Sequence, residues 1–170
     1  MTMQIIVLSG LPGSGKSTLA EGLSRTLSMP VFSVDPIEAA MWRSGLAKQS
    51  TGIAAYDVAI ALSDEHLRLG HSVIIDAVNP VDAPRAAWRN LAVKHRAGLK
   101  IIECVCADEA VHRRRIEVRV RNIEGMPEVT WNQVLERRAE YESWSDARLV
   151  LDTSTGSAGQ LLDEALNYLR

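Results

Sequence analysis

The chain is poor in the residues that mark several functional classes. Aromatic residues make up 5% of its 170 positions, with a single Phe. Platforms for single-stranded nucleic acid stack bases on exposed rings, so this scarcity speaks against them. Charge is nearly balanced, at a net −2. A global positive field for long nucleic acid is missing, although a local basic groove is compatible with these counts. No apolar run approaches the length of about 18 residues that marks a membrane span. There are only two cysteines, Cys104 and Cys106, and no second Cys/His pair stands at ligand spacing. That pattern argues against a structural metal site. On one strand the two thiols share a face and read as reduced core residues, in keeping with a reducing, cytoplasmic compartment. The first residues show no basic segment followed by an apolar stretch and a small-residue cleavage site, so secretion is not expected.

What is present is the balance of a globular protein, 46% hydrophobic and 24% charged. It suits one domain over residues 1–170 with a full core. Residues 10–17 read G-L-P-G-S-G-K-S. The pattern G-x-x-x-x-G-K-[ST] arises by chance in about 1% of chains this long, given average residue usage. Its context makes chance a poorer explanation. The β-branched run from Met3 to Leu8 precedes it, and Leu19, Leu23 and Leu27 recur at helical spacing after it. Strand, glycine loop and helix stand in the order that a phosphate-binding loop requires. Glycines at 10, 13 and 15 let the backbone approach a ligand, so that N–H groups around Gly10, Gly13, Ser14 and Gly15 line an anion-binding concavity. The helix N-terminus adds its positive dipole end. Lys16 supplies a charge for the β- and γ-phosphates, Ser17 a hydroxyl for Mg²⁺, and Thr18 supports the helix start.

Strands and helices alternate beyond the loop. The pattern predicts strands at about 3–9, 31–34, 71–76, 99–106 and 149–151. It predicts helices at about 16–28, from Asp35-Pro36 to 45, 58–69, 84–96, 109–121 and 130–143, and a last helix at the end. Residues 46–55, small and polar, read as a loop. Such alternation argues for a parallel three-layer α/β sandwich. Polar residues close the strands at Ser9, Asp35, Asp76 and Asp108, on the sheet edge where such folds bind ligands.

Asp35 follows Lys16 by 19 residues. Its carboxylate can orient an acceptor hydroxyl and take its proton, or can simply cap the turn before Pro36. Asp76 closes V-I-I-D, a layout that suits a carboxylate holding Mg²⁺-bound water near Ser17. Contact with the acceptor and capping of the next turn are equally open readings. Within V-H-R-R-R-I-E-V-R-V-R, helical spacing lets Arg113, Arg114 and Arg121 pair with Glu117. Arg115 and Arg119 have no acid three or four positions away, and a polyphosphate between them would relieve their repulsion. With the Gly-Met-Pro break that follows, the segment at about 113–128 reads as a closing flap. It would place Arg119 in catalysis and Arg115 and Arg121 on the nucleotide. The four histidines form no constellation with a nucleophile or metal partner. Trp131, Leu135 and Tyr141 read as a core-facing stripe, and Arg137 and Arg138 as partners of Glu140 and Glu142.

Taken together, G-L-P-G-S-G-K-S-T, V-D-P, G-H-S-V-I-I-D-A-V-N, the arginine helix and D-T-S resemble the small P-loop kinases. They are most similar to the AAA_33-type kinases, akin to chloramphenicol phosphotransferase and the kinase half of phage polynucleotide kinase. The resemblance covers nearly the whole chain. It implies a five-stranded parallel sheet of order 2-3-1-4-5, an arginine lid over ATP, and Mg²⁺ as a companion ion. It matches Lys16 and Ser17 to the phosphate and metal positions, Asp35 to the acceptor-activating carboxylate, and Arg119 and Arg121 to the lid. The expected activity is phosphoryl transfer from ATP to a small-molecule hydroxyl, by a monomer or homodimer. A regulatory ATPase without an acceptor, a polynucleotide 5′-hydroxyl kinase and a nucleotide kinase are the alternatives. The stretch from Arg43 to Tyr56 carries no acceptor signature.

Overall fold

Short apolar runs form parallel strands, and five of them build the sheet, its centre buried on both faces and its edge strands less so. A computed structural model describes residues 3–170. Strands β1 (Gln4–Ser9), β2 (Val31–Ser33), β3 (Val73–Asp76), β4 (Gly98–Val105) and β5 (Leu149–Asp152) are all parallel, in the order β2-β3-β1-β4-β5. Around them lie α1 (Lys16–Leu27), α2 (Val34–Arg43), α3 (Lys48–Arg68), α4 (Asp82–His95), α5 (Glu109–Val118), α6 (Trp131–Glu140) and α7 (Ala158–Leu169). Fold class and strand order are those expected.

Because strand side chains alternate between faces, β1 feeds two cores. Ile6 and Leu8 join Ile74, Ile102 and Leu151 beneath α1 and α7. Ile5 and Val7 join Val73, Ile75 and Ile101, against Ala55 and Ala59 of α3 and Trp88 of α4. No helix among the described residues is long and apolar enough to cross a membrane.

Three expectations change. Residues 46–55 are not a loop, because α3 starts at Lys48. Thr51 of that stretch is buried and bonds inward instead of facing water. The Trp42 indole N–H donates to Thr51 Oγ1 at 2.7 Å, and the Thr51 hydroxyl donates to Glu38 Oε1 at 2.9 Å. Second, α5 ends at Val118, leaving Arg119 extended with ψ 145°. Val118 and Val120 are exposed and find no core to hold a further helical turn. Third, Thr130 and Gln133 form a capping box, but α6 stops at Glu140 and buries Val134, while Leu135 faces outward. Tyr141 lies past the helix and packs on the core instead.

A buried cation ties two distant loops together. Arg85, on α4, donates to the carbonyls of Asn79, Pro80, Glu142 and Ser143 at 2.7–3.2 Å. Its guanidinium also lies over the Trp144 ring, 4.2 Å from the centroid.

Candidate functional site

Strand β1 delivers the chain at Ser9 to the glycine loop, and α1 begins at Lys16 with Gly15 as its N-cap. Gly13 and Gly15 take positive φ, 79° and 85°. Lys16 is buried, whereas Ser17 and Thr18 are exposed on the first turn. A cleft of about 700 Å³ opens over this turn. Gly13, Gly15, Lys16, Ser17 and Thr18 form its floor, with Arg115, Arg119 and Arg121 also lining it. It continues past Thr153 and Gly156 to Ala158, Leu161 and Leu162 of α7. Most residues singled out in the sequence therefore share one cavity. Gly10 and Ser14 instead line a separate cavity of about 330 Å³ on the other side of the loop. There the Ser14 Oγ is buried without a hydrogen-bond partner.

The arginines are used differently from expectation. Arg115 is not free: its Nη1 donates to Thr153 Oγ1 at 2.8 Å and its Nη2 to the Thr153 carbonyl at 2.6 Å. Thr153 in turn donates its hydroxyl proton to the Ser14 carbonyl at 2.8 Å. Arg115 thus braces the glycine loop through Thr153. Arg121 leaves Glu117 to Arg113 and pairs with Asp35 through Nη1 at 2.6 Å and with Glu128 through Nε at 3.2 Å. Arg119 lies 3.4 Å from Glu128, yet its Nε and Nη2 are buried without hydrogen-bond partners. Arg119 lines the cleft, and its Nη2 is a buried donor left without a partner, while its Nε faces the Glu128 carboxylate.

Asp35 does not end a strand. Ser33 closes β2, and Asp35 sits in the first turn of α2, where its charge suits the helix dipole. The segment carrying Arg121 also docks on α2 through its tip, with Arg43 donating to the Glu124 carbonyl at 2.5 Å. Asp76 does end β3, beside Leu8 of β1. The Ser33 hydroxyl donates to its Oδ2 at 2.9 Å, while its Oδ1 is buried and unpartnered.

Near these carboxylates stands Tyr56 of α3, whose hydroxyl accepts the Asn79 N–H at 2.9 Å. Burial, with Asp35 and Asp76 adding to it, pushes its phenol far up. Burial likewise pushes the Cys104 thiol up to about 12; Cys104 and the partly exposed Cys106 are both free.

Sequence reasoning missed two residues. Thr153 stands in the sequence only as part of D-T-S, and His112 only as one of four histidines without a nucleophile or metal partner. His112 lies against the glycine loop, and its spacing from Ile116 on one helix face was the only available signal. Arg138 pairs with Glu109 of α5 at 3.1 Å instead of a neighbour on its own helix. Glu142 accepts the Asp82 backbone N–H.

Comparison with known proteins agrees with this architecture. The family model AAA_33 (AAA domain) matches residues 5–142. The uncharacterized proteins Rv2004c of Mycobacterium tuberculosis H37Rv and Mb2027c of Mycobacterium bovis are each 30% identical over 129 residues. The match takes in 66% of this chain and 26% of theirs, so the chain spans about a quarter of these curated relatives. Among solved structures, a protein of Chloroflexus aurantiacus J-10-fl superposes with a TM-score of 0.80 at 20% identity, covering 100% of both chains. A sugar kinase from Janibacter sp. HTCC2649 gives 0.72 at 20% identity, over 99% of this chain and 95% of that one. The Mycobacterium tuberculosis APS kinase CysC, in complex with AMPPNP and APS, gives 0.71 at 19% identity, over 99% and 98%. The chain belongs to the AAA_33 family and has the fold of the P-loop kinases.

Proposed function

We propose that this domain is an ATP-dependent kinase that transfers the γ-phosphoryl group to a hydroxyl of a small molecule. One observation carries the reading. A single guanidinium, that of Arg121, borders the phosphate cleft and also binds the Asp35 carboxylate. Asp35 is therefore one side chain away from the donor site, where a group acting on an acceptor must be. Names among the structural neighbours, a sugar kinase and an APS kinase, support the same class.

In this reading the N–H groups of Gly13 and Gly15 and the start of α1 receive the phosphates, and Lys16 takes the β- and γ-oxygens. Arg119, whose Nη2 is unpartnered, offers its guanidinium to charge that spreads over the transferred group. The segment at about 113–128 is the lid. An arriving acceptor displaces Arg121 from Asp35, and the freed carboxylate orients the hydroxyl. The acceptor oxygen bonds to phosphorus, the bond to the ADP oxygen breaks, and the hydroxyl proton passes to Asp35.

For Mg²⁺, a hard cation that takes few protein oxygens and retains waters, the residues that would hold it are the exposed Ser17 and Asp76, whose Oδ1 is unpartnered. When bound, Mg²⁺ neutralises charge on the β- and γ-oxygens. The two free thiols are in keeping with a cytoplasmic setting.

The test is ADP release and phosphate transfer across sugars, antibiotics, nucleosides and oligonucleotides. Transfer to one class supports the kinase and names its acceptor. ATP hydrolysis with transfer to none of them would leave the regulatory ATPase as the better account.

A further inference from the structure

His112 has no part in the reaction above, yet it is 2% exposed and touches the glycine loop directly. Its Nε2 lies 2.7 Å from the Pro12 carbonyl oxygen, and its Nδ1 lies 3.4 Å from Arg138 Nη2. A carbonyl only accepts and a guanidinium only donates. One neutral tautomer satisfies both contacts, with the proton on Nε2 and the lone pair on Nδ1. Burial drives the ring's pKa below the ordinary histidine range, with Arg138, Arg115 and Arg119 adding to it, so this neutral form prevails.

The consequence lies on the other side of the peptide. In a trans peptide the C=O and the following N–H point in opposite directions. With the Pro12 carbonyl held by His112, the Gly13 N–H points away from α5, and Gly13 lines the phosphate cleft. The fit is close. A Cβ at Gly13 would stand 2.7 Å from Ile116 Cδ1 and 3.2 Å from His112 Cδ2. The second peptide of the loop is treated the same way, since the Ser14 carbonyl is held by Thr153, itself held by Arg115. Were the Pro12–Gly13 peptide to turn over, a carbonyl dipole would face the anion instead of a donor.

We propose that His112 is a positioning residue of the nucleotide site: its Nε2–H holds the Pro12 carbonyl back and so aims the Gly13 N–H at the phosphates. The inference rests on the nucleotide-binding reading above. It adds a role for α5 beyond carrying the arginines.

The experiment titrates Mg·AMPPNP and, separately, inorganic tripolyphosphate into wild type, His112→Leu and His112→Gln by calorimetry. Leu roughly keeps the volume and removes both nitrogens, while Gln offers an amide N–H in place of Nε2–H. His112→Leu is expected to bind both probes about ten-fold more weakly, or about 1.4 kcal/mol. His112→Gln is expected within about three-fold of wild type. Equal losses in both variants, or no loss in either, would overturn the proposal. Should His112→Leu not fold, His112→Asn replaces it, with an amide one bond too short to reach Pro12. If wild type binds neither probe, the nucleotide reading fails by itself. The assignment at His112 is then decided by its imidazole ¹⁵N shifts at pH 7.5: a neutral ring protonated on Nε2 supports it, and a proton on Nδ1 or a charged ring overturns it.

Discussion

Replacing Gly13 with Ala measures how tightly α5 presses on the glycine loop. Gly13 has φ +79°, and its missing Cβ would meet Ile116 Cδ1 at 2.7 Å and His112 Cδ2 at 3.2 Å. Two costs are therefore combined. The left-handed backbone costs a non-glycine residue about 1–2 kcal/mol. Forcing a methyl against a packed side chain costs about 1–3 kcal/mol more. The total is about 2–5 kcal/mol, and at 2–4 °C per kcal/mol for a domain of this size it lowers Tm by roughly 4–20 °C. Gly70→Ala isolates the first cost, because Gly70 has φ +87° with nothing within 4 Å of its would-be Cβ. It should lower Tm by roughly 2–8 °C. Thermal unfolding of the two variants, with and without Mg·AMPPNP, separates the contributions. Gly13→Ala should also lose most of the stabilisation that the nucleotide gives wild type, because loop and α5 can no longer close up. Equal Tm losses in the two variants would refute the reasoning, as would full nucleotide stabilisation of Gly13→Ala.

Other perturbations probe the remaining parts. Lys16→Ala should weaken Mg·AMPPNP binding at least ten-fold in a calorimetric titration, since it removes the cleft's cationic floor; unchanged affinity would remove Lys16 from the site. Asp35→Asn should bind Mg·AMPPNP about as well as wild type and transfer phosphate about 100-fold more slowly or worse, whereas equal loss of both would make Asp35 structural. Thr153→Val leaves the Ser14 carbonyl and a guanidinium donor unsatisfied, so urea unfolding should show a loss of about 1–3 kcal/mol. Stability should also depend on the charge of His112. Its folded pKa is lowered, so the unfolded chain binds the proton more readily. Wild type should lose stability as pH falls from about 6.5 toward the folded value. His112→Gln should lack that limb in urea unfolding from pH 7.5 to 5, and parallel curves for the two proteins would contradict the buried neutral ring.

The sheet was legible because its signals are local. Each strand is an apolar run between turn residues, and the glycine loop fixes strand, turn and helix together. Strand order came from resemblance and was matched by the structure. The beginning of α3 was not legible, because Gln49, Ser50, Thr51 and Gly52 have the composition of a loop. They become helical only when Thr51 meets Glu38 and Trp42 of another helix. Arg115 shows the same limit. Spacing along its own helix left it without an acid, and its partner Thr153 lies 38 positions away. The reach of Arg121 to Asp35 crosses 86 positions and depends on α5 ending at Val118. A continuous helix to Arg121, as the periodicity predicted, would have carried that guanidinium elsewhere.

The four carbonyl bonds of Arg85 have a mechanical consequence. They fasten residues 79–80 to residues 142–143, so the end of the α6 region is welded to the loop leaving β3. On the other side, His112 moors α5 to the glycine loop. The arginine-bearing stretch thus hangs between two anchored ends. In the lid reading its travel is that of a tethered strap and not of a free arm. Arginine at 85 is also not exchangeable for lysine: an ammonium has too few donors to hold four carbonyls and no plane to lie on Trp144. Such a variant should loosen a strap whose arginines lie far along the chain from the altered residue.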